Sequence, residues 1–259
     1  MDAPISSFWM PATLEALLLA LAGISGVLWL VLMRVKKGAV RARRLLAMAC
    51  AATLCMLLGR SWFIEPFHVP SASMVPTLLV GDFLIVQKFP YQLVWPISGR
   101  ALLKTGDPQR GDVVVFTLPD RPDFRMVKRV IGVPGDEVVS MAGHWYVNGK
   151  RLSQSEQGLY QDQRSGPDSL DRRVRQETLA GRSFATLEGD PAEPSRHWTV
   201  PSDQLLVLGD NRGLSRDGRE FGFVGQERVT GRVVRVLFNA SKWDRWVMPL
   251  GDDKEMVPR

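Results

Sequence analysis

The sequence predicts a mainly β protein: two N-terminal transmembrane helices followed by an antiparallel β-rich domain with a loop-rich inserted subdomain. Three observations point there. Two long apolar stretches near the N-terminus enclose a block of basic residues. After Glu65 the pattern changes to short β-branched runs broken by glycine and proline. An Asn148-Gly149 pair between two such runs is a strong hairpin signal, because a type I′ turn needs positive φ at both central positions.

The first apolar stretch, residues 12–33, is polar only at Thr13, Glu15 and Ser25. Spanning a bilayer takes about 20 residues. The second, residues 45–64, holds Arg60 near its far end, where a long side chain can snorkel to the interface. Trp9, Trp29 and Trp62 fall near the ends of these stretches, as an aromatic belt would place them. The leader before the first stretch has no positive charge and the run is too long for a cleaved signal sequence. Residues 34–44 carry six basic residues and no acidic one. Because lysine and arginine mark the cytoplasmic side, residues 34–44 read as a cytoplasmic loop, residues 1–11 as a short outer tail and residues 65–259 as an extracytoplasmic domain.

The net charge of +6 comes from that one block. Without it the chain has 27 basic and 27 acidic residues, so a nucleic-acid groove, which needs a distributed basic patch, is not expected. Cys50 and Cys55 both lie in the second apolar stretch, on different faces of a helix, and read as small packing residues. His68, His144 and His197 are scattered, and neither a metal nor a cofactor is expected.

In the outer domain, 83–86, 112–116, 126–130, 137–139, 144–147, 205–208 and 231–238 read as strands. Residues from about 154 to 195 are polar and rich in Gly, Ser, Asp and Arg, and read as a loop-rich insert or cap. No internal repeat stands out.

Two short segments carry the chemistry. Pro70-Ser71-Ala72-Ser73-Met74-Val75-Pro76-Thr77 pins Ser73 between prolines just beyond the second apolar stretch. Phe124-Arg125-Met126-Val127-Lys128-Arg129-Val130 places Lys128 among residues that look buried at alternate positions. A serine hydroxyl attacks poorly unless a base takes its proton. A lysine amine can serve if a dry setting disfavours its charged form. Met126, Val127, Val130 and Ile131 are candidates to supply that setting, while Arg125 and Arg129, as strand neighbours, should point to the face opposite Lys128.

At these residues the chain resembles the type I bacterial signal peptidases, or leader peptidases, a Ser/Lys serine protease family. The match runs from Phe63 through Leu78, continues at Gly81-Asp82, at Arg110 to Phe116 and at Val127 to Asp136. It closes with Gly209-Asp210-Asn211-Arg212 through Ser215, Asp217 and Arg219 to Val224. The blocks occur in family order and cover about residues 60 to 235.

The resemblance implies an acyl-enzyme mechanism with Ser73 as nucleophile and Lys128 as general base. Ser71 and the backbone N–H of Ser73 would form the oxyanion hole. Ser215 would orient the lysine amine, and Asp210, Asn211, Arg212, Asp217 and Arg219 would support its loop. Phe67, Val69, Pro70, Met74, Leu78, Leu84, Val115 and Val127 match positions lining shallow substrate pockets, which favour small residues in Ala-x-Ala sites; the alternative for the apolar ones is ordinary β-core. The implied substrates are exported preproteins with signal peptides. The implied setting is a multi-pass monomer in the bacterial inner membrane, near the secretion translocon, with the catalytic domain outside and the lipid bilayer as a partner. Trp243 and Trp246 would dip toward the lipid or pack in the core.

The chain departs from the family in one loop. Where the family commonly has Asp-Asn-Ser and then Asp-Ser-Arg, this chain has Gly213-Leu214-Ser215 and then Asp217-Gly218-Arg219. Polar supports are missing at 213 and 218. Other readings stay open: a hydrolase using His68 as base, a membrane-anchored binding module that has lost activity, and a specialised relative processing one pilin or conjugation substrate.

Overall fold

The computed structural model describes residues 12–33, 40–62, 64–94, 101–118, 121–160, 172–190, 192–242 and 245–250. The N-terminal tail, Trp9, residues 34–39 of the basic loop and Trp243 lie outside them. Helix α1 is Ala12–Met33, and helix α2 is Val40–Trp62. The first matches the bounds of its apolar stretch. The second starts five residues earlier than hydropathy placed it and ends two earlier. Alanine and arginine are good helix formers, so the helix runs back into the basic block where hydropathy falls away. Among the described residues no helix stretch is long and apolar enough to count as a membrane span. The spanning role of α1 and α2 therefore rests on the sequence.

Strands β1 (Ile64–His68), β2 (Asp82–Gln87), β3 (Gln92–Val94), β4 (Ala101–Lys104), β5 (Val113–Leu118) and β6 (Arg121–Gly132) follow. Next come β7 (Glu137–Met141), β8 (His144–Val147), β9 (Lys150–Arg151), β10 (Ser153–Tyr160), β11 (Arg172–Leu179) and β12 (Arg182–Leu187). The last are β13 (Arg196–Thr199), β14 (Gln204–Leu208), β15 (Val224–Gly225), β16 (Val229–Asn239) and β17 (Met248–Pro249), with a short helix α3 (Gly218–Phe221) before β15. The main sheet has the order β1-β2-β16-β5-β6-β14-β15, with β17 paired to β16. Every strand pairing in it is antiparallel. The mainly antiparallel expectation therefore holds.

The period of two along a strand explains how the sheet builds its core. In β5, Val113 and Val115 join one buried cluster, while Val114 and Phe116 join another. In β14, Leu205 and Val207 face the second cluster and Leu206 and Leu208 a third. Continuous apolar runs of this kind mark strands covered on both faces. In β6 the same alternation puts Val127 with the first cluster and Met126 and Val130 with the second. Lys128 shares the parity of Met126 and Val130, and Arg125 and Arg129 that of Val127.

Asn148 and Gly149 have φ of 51° and 73°, and Val147 pairs with Lys150 across them, as the type I′ reading requires. Among its described residues the insert is mostly strand rather than loop. Strands β10, β11 and β12 form a three-stranded antiparallel sheet within it. Composition concealed this because β11 buries charge: Glu177 is 2% exposed, between apolar Val174 and Leu179. Its carboxylate is satisfied by Arg212 and Gln154. The sheet then packs Val174, Ala185 and Leu187 against Val75 and Leu79 of the segment after Ser73.

Candidate active site

Ser73 sits in a tight turn between β1 and β2. Val75 N–H donates to Ala72 O (3.2 Å) and Leu78 N–H to Met74 O (2.9 Å). The far end of the turn is held by Asp82, whose carboxylate accepts Leu79 N–H (2.8 Å), Asn239 Nδ2 (2.7 Å) and Arg245 Nη2 (2.7 Å). Arg245 Nη2 also donates to Thr77 O (3.0 Å). Sequence reasoning missed Arg245, which comes from a segment with no motif; its burial at 4% shows only in three dimensions.

Within this frame Lys128 Nζ lies 2.5 Å from Ser73 Oγ. Ser73 is 3% exposed and Lys128 1%. Ser71 Oγ is 3.4 Å from Ser73 Oγ. The structure thus brings together Ser71, Ser73 and Lys128. His68 packs its ring against Phe83, with centroids 5.1 Å apart.

The strand carrying Lys128 is tied to the Ser73 turn through its next residue. Arg129 gives Asp210 two hydrogen bonds, from Nε to Oδ1 (2.8 Å) and Nη2 to Oδ2 (2.6 Å), and donates from Nη1 to Gly111 O (2.9 Å). Its guanidinium lies over the Phe184 ring at 3.9 Å. Thr77 Oγ1 donates to Asp210 Oδ2 (2.5 Å), joining the turn to the same carboxylate. Arg125, on the same strand face, lies 5.3 Å over the Phe67 ring.

Asn211 closes the turn from the other side. Its N–H donates to Ser73 O (3.0 Å) and its Nδ2 to Ala72 O (3.1 Å). Gly209 permits the close approach: a Cβ there would lie 2.5 Å from Ser73 O and 2.1 Å from Ser215 Oγ. Arg212 pairs with the buried Glu177 of the insert sheet, donates to Gly209 O (3.1 Å) and lies 5.1 Å over Trp145. Asp217 accepts Gly209 N–H (2.9 Å) and pairs with Arg219, whose Nη2 also donates to Arg212 O (2.7 Å). Burial alone would raise the Asp217 carboxyl. The hydrogen bonds and charge of Arg219 and the Gly209 N–H outweigh that and hold it below its ordinary 3.8.

Ser215 differs from expectation. Its Oγ is buried against Gly209 and has no hydrogen-bond partner, so the bond to the lysine amine is not made in this structure. The loop carrying it runs through Gly213, where the polar side chain of the family pattern is missing. Phe67, Val69, Met74, Leu78, Leu84, Val115 and Val127 fall in one buried cluster, each at most 4% exposed, with Pro70 half-buried beside them. Their core role is therefore direct. Among the described residues no group of three His, Cys, Asp or Glu side chains is arranged to hold a metal.

The chain matches the family described as signal peptidase, peptidase S26, over residues 42–238. It is 34% identical over 215 residues to a signal peptidase I of Pseudomonas aeruginosa, an alignment covering 75% of this chain and 69% of that one. A signal peptidase I of Rickettsia typhi is 31% identical over 211 residues, covering 73% and 78%. A solved signal peptidase I from Enterococcus faecalis V583 aligns at 32% identity over 48% of this chain and 95% of its own; its TM-score of 0.30 is too low for the superposition to add to the assignment. With a family match spanning most of the chain and relatives above 30% identity covered over more than two thirds of their length, the protein belongs to the signal peptidase family, peptidase S26.

Proposed function

We propose that this chain is a membrane-bound serine endopeptidase that removes N-terminal signal peptides from exported preproteins, cutting after small residues in Ala-x-Ala sites. The observation that carries the reading is the 2.5 Å approach of Lys128 Nζ to Ser73 Oγ, with both groups buried.

Enclosure removes water from the lysine amine, which penalises the ammonium and favours the free base. The free amine takes the hydroxyl proton as Ser73 Oγ attacks the scissile carbonyl carbon. The developing oxyanion is met by the Ser73 N–H and the Ser71 hydroxyl, donors fixed before the charge appears. Collapse of the tetrahedral species breaks the C–N bond, and the Lys128 ammonium returns its proton to the leaving amine. Water, deprotonated by the same amine, then attacks the acyl-Ser73 ester; the C–Oγ bond breaks, the Lys128 ammonium returns the proton to Ser73 Oγ, and the signal peptide is released. The substrate chain adds as an extended strand beside the Ser73 and Lys128 segments, so backbone pairing gives affinity and small pockets give specificity. Phe67, Val69, Pro70, Met74, Leu78, Leu84, Val115 and Val127 would floor those pockets.

In this reading α1 and α2 span the bacterial inner membrane with residues 34–44 on the cytoplasmic side and the domain from residue 65 outside. Anchoring there shares a bilayer with the substrate's own apolar segment and raises its effective concentration at the site. One copy, near the translocon, is sufficient.

The test is cleavage of a preprotein with an Ala-x-Ala site by the full chain in detergent, against Ser73→Ala and Lys128→Met, each checked for folding by circular dichroism. Cleavage after the second Ala, reduced about 10⁴-fold or more in both variants, is expected. Folded wild-type protein without cleavage would favour a binding module. Activity surviving Lys128→Met would turn attention to His68.

A further inference from the structure

We infer that Arg172, at the start of β11 in the insert, is a positioning residue that braces the Ser73 turn through Asn211. This rests on the peptidase reading above. Arg172 Nη1 donates to Asn211 Oδ1 (2.8 Å). With that oxygen occupied, the Asn211 side chain is oriented so that Nδ2 donates to Ala72 O (3.1 Å), while its N–H donates to Ser73 O (3.0 Å). One guanidinium thus fixes the residue that holds the carbonyls of Ala72 and Ser73.

The departure at residue 213 gives this contact its meaning. A Cβ on Gly213 would lie 3.2 Å from Arg172 Nη1 and 3.3 Å from Glu188 O, tighter than ordinary contact. The guanidinium therefore reaches the loop over Gly213, which has no side chain to block it. Across Gly213 the insert thus supplies the loop with a charge-assisted hydrogen bond. The rest of the insert is placed for the same task. Val174 and Leu187 pack against Val75 and Leu79, and Leu187 exchanges backbone hydrogen bonds with the 210–212 segment. The insert is a brace on the nucleophile turn, and Arg172 is its polar tip.

The test compares Arg172→Met with Arg173→Met, whose side chain is 61% exposed, and with Asn211→Ala and the Arg172→Met/Asn211→Ala double variant, all in the full chain in detergent. Two readouts are used: hydrogen exchange of the 71–79 and 209–215 amides, and kcat and KM on the Ala-x-Ala preprotein. Arg172→Met should speed exchange in both segments and lower kcat about tenfold or more, the weight of one charge-assisted hydrogen bond, with KM within twofold. Arg173→Met should do neither. In the Asn211→Ala background, Arg172→Met should add nothing, since residues acting through one another are not additive. If cleavage depends on Ser73 but exchange is unchanged, or the two substitutions add, the brace is wrong and the peptidase reading stands. If exchange responds as stated but no variant, wild type included, cleaves, the brace stands and the peptidase reading falls.

Discussion

Arg129 and Asp210 meet as a buried bidentate pair, 81 residues apart in sequence, and Arg129 is the residue next to Lys128. The same carboxylate accepts Thr77 Oγ1 from the turn that carries Ser73. A single ion pair therefore links the strand of the base to the turn of the nucleophile, from the face opposite the base. Side chains 1% and 6% exposed leave little water to screen it.

Breaking that link should cost stability before it costs anything else. Asp210→Asn leaves the Arg129 charge buried without its counter-ion, a change that destabilises by about 3–5 kcal/mol. In a domain of this size that lowers the thermal midpoint by roughly 6–20 °C. The Arg129→Met/Asp210→Leu double variant should recover much of the loss, since removing both charges removes the uncompensated one. Thermal unfolding followed by circular dichroism measures both. A midpoint for Asp210→Asn within 2 °C of wild type would show that the pair is not the tie it looks to be.

Acid should loosen the 209–219 loop through Asp217. Its carboxyl is held below 3.8 in the folded protein, so it binds fewer protons there than in the unfolded chain. The resulting stability is fully present above the unfolded value of about 4 and is lost as pH falls through the lower folded value. Asp136 contributes in the same direction. Its burial would raise its pKa, and Arg110, the Val133 N–H and Asn148 overcome that. Urea unfolding at pH 7, 5, 4 and 3 should show wild type and Asp217→Asn furthest apart at pH 7 and 5, converging below about pH 4. A constant gap across the series would mean that the carboxyl does not titrate with folding.

Much of this was legible in the chain because apolar alternation is a local signal. The runs at 113–116 and 205–208 become inner strands of the main sheet. Asn148-Gly149 becomes the turn of the β8-β9 hairpin. Ser73 and Lys128 were singled out through the resemblance of their segments to the signal peptidases, and the fold brings the two side chains within 2.5 Å. What stayed hidden is charge that becomes buried by partners far away in sequence. Arg129 reads from the sequence only as pointing away from the base, Arg245 belongs to no motif, and Glu177 lies in the stretch that reads as loop. Each is under 6% exposed, and each is paired with a group 35 to 163 residues distant. A strand pattern cannot show a counter-ion that arrives from another strand. The buried, unpaired hydroxyl of Ser215 was equally out of reach, because it depends on how closely Gly209 lets that loop approach.

That hydroxyl separates stability from chemistry. Burying a polar group without a partner costs about 1–3 kcal/mol, and such groups are exceptions that call for a functional explanation. Ser215 Oγ lies beside Gly209, whose own neighbour is Ser73 O, so the base it is proposed to orient is part of the same small assembly. Ser215→Ala removes no hydrogen bond present in this structure. Its thermal midpoint should equal that of wild type or exceed it by up to about 4 °C, as relief of about 1 kcal/mol would give. If the hydroxyl turns to the Lys128 amine when substrate binds, kcat on the preprotein falls at least about tenfold while KM holds, the pattern of an interaction made only in the transition state. Ser215→Thr keeps the hydroxyl and should retain part of that activity. A Ser215→Ala enzyme with unchanged kcat would remove Ser215 from the mechanism and leave the buried hydroxyl as a packing feature of the loop.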